Sequence, residues 1–168
     1  ACLALPAEAS VADRMAVVDV DAIHAVRQDL RQALGTALAP HLRATYHRLA
    51  DPGPYRIDGA SIGRRALRNA CLAYLAAAGD ATLAEAQFAA AGNMTDSLAA
   101  LDVLAAADAP GREAALAAFH ARWRHEELVL DKWFSLQALS PRPDTLDRVR
   151  ALARHPDFDE RNPNRARA

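Results

Sequence analysis

The sequence predicts an all-α fold of stacked antiparallel helix hairpins, an ARM/HEAT-like superhelical arrangement. Three observations carry that prediction. Apolar residues recur at three- and four-residue spacing along most of the chain, the pattern of amphipathic helices. The seven Gly and nine Pro act mainly as punctuation, and only Gly35, Pro40 and Gly63 lie inside helix-period stretches. The links between those stretches are short, which makes successive helices antiparallel neighbours and favours a hairpin stack over a four-helix bundle. No fixed-period sequence repeat is convincing, so the repetition expected is one of structure only.

Taken in order, Ala1–Leu5 reads as the last turn of a helix stopped by Pro6. Ser10 suits the N-cap of a short helix over Val11–Val18, with Asp13 in its first turn. Asp19 or Asp21 then starts a longer helix. Its apolar face runs through Ile23, Val26, Leu30, Leu34, Leu38, Leu42, Tyr46 and Leu49, with a kink or break expected between Gly35 and Pro40. The Asp-Pro-Gly-Pro run at 51–54 is a connector. Helix periodicity resumes over Ala60–Ala78, with Ile62, Leu67, Cys71, Leu72 and Leu75 facing inward and Arg64, Arg65 and Arg68 forming a solvated strip.

Asp80 or Thr82 opens a helix containing Leu83, Gln87 and Phe88, and Thr95-Asp96 opens the next, with Leu98, Leu101 and Leu104 on one side. Gly111–His125 carries Leu116, Phe119 and Trp123. After a break near Glu126 comes Leu128–Ser140, which holds Trp133 and Phe134 in a chain only 5% aromatic. Leu130, Trp133, Phe134 and Gln137 share one side of this helix, and Val129, Leu136 and Leu139 widen the apolar surface. It reads as the central helix, buried between neighbours, with Asp131 and Lys132 as its polar exceptions. Asp144 suits the cap of a last full helix through Leu146, Val149, Leu152 and Ala153.

At 168 residues the chain fits one domain, and its 52% hydrophobic content is rich in Ala, which lets helices approach closely. A formal charge of -1, from 20 basic and 21 acidic residues, argues against nucleic acid as a partner. No apolar run approaches the roughly 20 residues of a membrane span, and there is no signal-peptide pattern. Cys2 and Cys71 suggest two reduced thiols in a cytoplasmic protein rather than a disulfide framework. The chain opens Ala-Cys-Leu without an initiator Met and closes on Asn-Pro-Asn-Arg where a helix would begin, so it reads as a segment of a longer protein with helices missing on both sides.

The search for chemistry finds no catalytic residue and no metal ligand set. There is no H-E-x-x-H, no H-x-x-E-H and no cysteine pair at zinc spacing. His120 and His125 lie about 140° apart on a helix and cannot clamp one ion together without a break between them, and His41 and His47, six apart, fare no better. Nucleophile elbows, phosphate loops and dinucleotide turns are absent. One local feature has a physical rationale. Asn162 suits an N-cap and Pro163 the first helical position, which would bring helix-terminal amides to Arg165 and Arg167 and favour an anion such as a carboxylate.

Four runs then resemble a known family: Arg64–Ala76 (RRALRNACLAYLA), Ala90–Leu101 (AAGNMTDSLAAL), Leu128–Ala138 (LVLDKWFSLQA) and Asn162–Ala168 (NPNRARA). In order and spacing they are similar to the C-terminal helical domain of bacterial aminopeptidase N, with weaker similarity from about Leu3 onward. The resemblance covers almost the whole chain and only the middle part of that domain. It implies a parent zinc metallopeptidase that removes N-terminal amino acids from peptides. The zinc ligands and substrate-binding Gly-x-Met-Glu-Asn of that enzyme would lie in a separate catalytic domain, absent here, and this chain alone would be inactive. The helical domain would wall the substrate cavity and control access to it, with peptide substrates and the catalytic domain as its partners. By the same resemblance Arg167 falls on a cavity arginine that meets a peptide carboxylate, and Arg165 is its weaker neighbour. The other class of reading is a stand-alone helical-repeat interaction module.

Overall fold

The computed structural model describes residues 3–51 and 53–168. Among them the regular elements are helices, with no strand. They form two compact units, Ala1–Asp80 and Ala81–Ala168. Ala1, Cys2 and Pro52, which the readings above include, lie outside the described residues.

The first unit holds α1 (Glu8–Ala12), α2 (Val20–Ala37), α3 (Ala39–Arg48) and α4 (Gly59–Ala77). Of the two expected starts, Asp19 is the N-cap of α2, its carboxylate accepting from the Ala22 amide at 2.9 Å, and Asp21 lies in the first turn. The expected break falls at Leu38, and Pro40 sits in the first turn of α3, where its missing N–H costs nothing. Asp58 caps α4, accepting from both the Ser61 amide (2.9 Å) and the Ser61 hydroxyl (3.0 Å). These bonds hold the Asp58 carboxyl below the usual carboxylate range. Gly79, at φ +93°, ends α4 in the left-handed conformation, so the Asp80 amide reaches back to the Leu75 carbonyl at 3.0 Å.

α4 packs against both α2 and α3. It runs antiparallel to α3, because Arg64 meets Asp51 (2.8 Å), Arg68 meets the Tyr46 hydroxyl (2.9 Å) and Asp80 meets Arg43. Gly35 is buried where α2 crosses α4, and a Cβ there would stand 2.2 Å from the Tyr74 carbonyl oxygen. Cys71, Leu72 and Leu75 form the core of this unit, and burial pushes the Cys71 thiol up, away from the reactive thiolate.

Several expectations for this unit need correction. Leu3 lies in a turn and residues 4–5 are not helical, since the Leu3 carbonyl is held by the Tyr74 hydroxyl at 2.7 Å. α1 spans Glu8–Ala12 with Ala7 as N-cap, not Val11–Val18, and Ser10 lies within it. Val17 and Val18 are exposed, so no burial extends α1, and Asp19 is already extended as the cap of α2. Val26, Leu30, Ile62 and Leu67 are exposed rather than inward-facing. The Arg64, Arg65 and Arg68 strip is half-buried and engaged: Arg65 lies 4.6 Å over the Tyr55 ring and Arg68 4.3 Å over that of Tyr46.

The second unit holds α5 (Thr82–Ala90), α6 (Met94–Ala106), α7 (Arg112–Trp123), α8 (Glu127–Ala138), α9 (Thr145–Leu152) and α10 (Pro163–Ala166). α5 and α6 form an antiparallel hairpin, in which Gln87 donates to the Asp96 carbonyl at 3.0 Å and Glu85 accepts from the Gly111 amide at 3.1 Å. Asn93, not Thr95, caps α6, accepting from the Asp96 amide at 2.9 Å while its own amide donates to the Asp96 carboxylate at 2.9 Å. The far end of α6 is closed by side chains. Arg112 and Ser140 both donate to the Ala105 carbonyl, at 3.1 and 3.0 Å, and Arg142 donates to that of Ala107 at 2.9 Å.

α8 packs on α6, α7 and α9 and buries Leu130, Trp133, Phe134 and Gln137 as the periodicity predicts. The Trp133 indole N–H donates to the Leu116 carbonyl of α7 at 2.9 Å. The helix is not buried all round: Leu128 and Leu139 are 72% and 81% exposed, because their positions point away from α6, α7 and α9. Asp144 precedes α9 without capping it, since its carboxylate is taken by Arg142 at 2.9 Å, and Leu146 is exposed. No described helix is long and apolar enough to cross a membrane.

Two substitutions probe this packing. Gly35→Ala adds the better helix former, by about 1 kcal/mol, yet should destabilise by roughly 1–3 kcal/mol through the forced separation of α2 and α4. A urea midpoint unchanged or raised would contradict the close crossing. Trp133→Ala should cost about 3–5 kcal/mol, whereas Leu139→Ala at the C-cap of the same helix should stay within about 0.5 kcal/mol. Equal losses at the two positions would deny that one face of α8 is the core.

Candidate functional site

The residues with chemistry gather around α8 and the segment that follows α9. Asn162 caps α10 as expected, its side-chain oxygen accepting from the amides of Asn164 (3.0 Å) and Arg165 (3.4 Å), with Pro163 next in line. Those amides are therefore satisfied internally and are not offered to an external anion, which removes the helix-terminus part of the carboxylate reading. α10 is a single turn of four residues.

The two arginines of this turn have opposite environments. Arg165 is buried, 5% exposed, and its guanidinium is committed to the Asp131 carboxylate of α8 and to the Asp157 carbonyl. It also lies 5.2 Å over the Phe134 ring. The side chain is thus an anchor that ties the turn to α8, and Asp131, the acidic exception on an apolar helix, is its partner. Arg167 follows as the C-cap residue of α10, exposed, with no ion pair to another described residue. Docking Arg165 inward on a one-turn helix leaves Arg167 pointing away from that anchor.

Beside this anchor lie His120 of α7 and, in the loop after α9, His155 and Asp157. The Asp157 carboxylate accepts from His120 Nε2 at 2.7 Å, which places the imidazole proton on Nε2. This hydrogen bond is the main influence holding the Asp157 carboxyl below its ordinary range. His155 Nδ1 accepts from the Asp157 amide at 3.2 Å and stands 4.0 Å from its carboxylate. Burial, and after it the neighbouring His120, hold the His155 imidazole below its usual pKa and so favour the neutral form that accepts this bond. Both rings pack on Trp133, with centroid distances of 4.7 Å for His120 and 5.3 Å for His155.

The structure thus places Arg165 and Arg167 on one turn, the first holding and the second free. It also brings together three potential ligands that the search by short spacing does not find. His155-Pro156-Asp157 was visible as two ligand types flanking a proline, but nothing in the sequence pairs it with His120 on α7. His41, His47 and His125 are exposed, and none joins this group.

Comparison with known proteins bears on what this arrangement belongs to. Three curated relatives, all aminopeptidase N, match 99% of the chain: 46% identical in Caulobacter vibrioides, 42% in Escherichia coli and 38% in Haemophilus influenzae. The chain spans about a fifth of their length, 20%, 19% and 19% respectively. A solved structure of Legionella pneumophila aminopeptidase A in complex with aspartic acid superposes over 97% of this chain and 20% of that one, with a TM-score of 0.80 at 28% identity. The match falls in the C-terminal helical part of these enzymes, as the four sequence runs imply. Residues 1–168 match the family described as "Domain of unknown function (DUF3458_C) ARM repeats" from end to end, and the chain belongs to that family of ARM-repeat domains.

Proposed function

We propose that this chain is a non-catalytic part of one C-terminal helical domain of a zinc-dependent aminopeptidase, a cytoplasmic hydrolase that releases N-terminal amino acids from peptides. In that enzyme it would wall the substrate cavity and control access to the active site. The observation that carries this reading is sequence identity of 38–46% to aminopeptidase N over 99% of the chain. Its immediate partner would be the catalytic domain of the same polypeptide, and its ligands the peptides that enter the cavity.

The donors present here do not fit the catalytic zinc of such an enzyme. The sequence has no H-E-x-x-H. The three-residue group of His120, His155 and Asp157 draws on one helix and a distant loop rather than two histidines one turn apart. No step of peptide hydrolysis is therefore assigned to these residues. Their part is positional: the Asp131–Arg165 pair holds the C-terminal turn on α8, and the turn presents Arg167. We infer that the Arg167 guanidinium receives the C-terminal carboxylate of short peptides through charge-assisted hydrogen bonds. Arg165, the second candidate, is tied to Asp131 and serves this contact by fixing the turn.

Two outcomes test the proposal. The longer enzyme should hydrolyse aminoacyl-arylamides and lose that activity to a chelator, while the 168-residue chain alone should have none. Chelator-sensitive hydrolysis by the purified chain would contradict the division of labour. In the longer enzyme, Arg167→Ala should raise KM for di- and tripeptides by roughly fivefold, equivalent to about 1 kcal/mol, with kcat nearly constant. An aminoacyl-arylamide, which lacks a free carboxylate, should be unaffected; equal effects on both substrates would remove the carboxylate assignment.

A further inference from the structure

One ligand atom from each of His120, His155 and Asp157 lies within 4.8 Å of the other two. We propose that these three side chains bind a divalent transition-metal ion of the zinc class, as a two-histidine, one-carboxylate site that clamps the loop after α9 to α7.

The donor chemistry selects the class of ion. Two imidazoles and one carboxylate suit zinc, cobalt or nickel, whereas calcium and magnesium take oxygen-rich shells. With metal–ligand bonds of about 2.0–2.2 Å, tetrahedral ligands stand roughly 3.3 Å apart. Two of the three separations bracket that value, at 2.7 Å from His120 Nε2 to the Asp157 carboxylate and 4.0 Å from that carboxylate to His155 Nδ1, and the third is within 4.8 Å. Modest side-chain rotations therefore close the site. Binding replaces two hydrogen bonds, His120 to the Asp157 carboxylate and the Asp157 amide to His155, and requires the His120 tautomer with its proton on Nδ1, so that Nε2 is free to ligate.

Packing holds the ligands near this geometry. Trp133 backs both imidazoles, and Phe134 meets the His155 ring at 5.8 Å. The three side chains remain 18%, 26% and 25% exposed, so an ion enters from solvent and keeps open positions for water. The Arg124 charge acts on His155 and Asp157 and opposes a cation, whereas the nearby Arg165 charge is already compensated by Asp131. Because the Asp157 carbonyl also accepts from Arg165, a bound ion would stiffen the same loop that anchors the C-terminal turn. This inference concerns residues within this chain and stands whether or not the chain serves an aminopeptidase.

The test is titration of the purified 168-residue chain with cobalt(II), followed by visible d–d absorption and by paramagnetic shifts of the histidine ring protons. One ion per chain is expected, displaced by zinc, with the His120 and His155 rings shifted and the melting temperature raised by zinc. His155→Ala and Asp157→Asn should each weaken cobalt binding by at least roughly tenfold, while the double variant His41→Ala/His47→Ala binds normally. Absence of saturable binding by the wild-type chain would overturn the site. So would ring shifts confined to His24, His41, His47 or His125, a readout that needs no variant to fold.

Discussion

A carboxylate on an apolar helix close to the core is costly unless a cation comes to meet it, and in this protein Arg165 does. The Asp131–Arg165 pair is almost out of water, with side-chain exposures of 14% and 6%. Removing one member of such a pair commonly costs about 3–5 kcal/mol, because the other is left buried and uncompensated. The pair is the means by which a helical turn of only four residues holds its place: α10 is too short to be stable alone, and its contact with α8 supplies what propensity does not. The position of Arg167, two residues on, follows from that anchor, as does the loop through Asp157, whose carbonyl completes the coordination of Arg165.

The two faces of α8 divide the labour. Trp133 and Phe134 fill the core, with the indole N–H tied to α7, while Asp131 holds the C-terminal turn. Trp133 also backs His120 and His155, so an aromatic of the core also positions the histidine pair. In the first unit a different constraint governs. There the absence of a side chain at Gly35 sets the approach of α2 to α4, and the arginines of α4 cover tyrosine rings instead of spreading into solvent.

Much of this was legible in the sequence where a local rule decides the outcome. The Asp19 cap, the break before Pro40, the Asn162-Pro163 start and the buried face of α8 all depend on residues within a turn or two of one another. Expectations failed where burial depends on distant neighbours. Val26, Leu30, Ile62 and Leu67 have helical periodicity but stay exposed among the described residues, as do Val17 and Val18. At the candidate site, Arg165 and Arg167 look alike in sequence, yet one is buried and the other exposed, because only Arg165 can reach Asp131, 34 residues earlier. Asp131 was visible as a polar exception, but its partner was not. The same limitation hid the joining of His120 with His155 and Asp157, which a spacing search restricted to short intervals cannot find.

Hydrogen exchange of residues 157–168, in the wild-type chain and in Asp131→Ala, measures the anchoring claim directly. The Asp131–Arg165 pair predicts slowed exchange at the Arg165 and Ala166 amides in the wild type, lost in Asp131→Ala while α5 and α6 keep their protection. Exchange at the rate of an unfolded peptide in the wild type, or protection unaltered by Asp131→Ala, would contradict it.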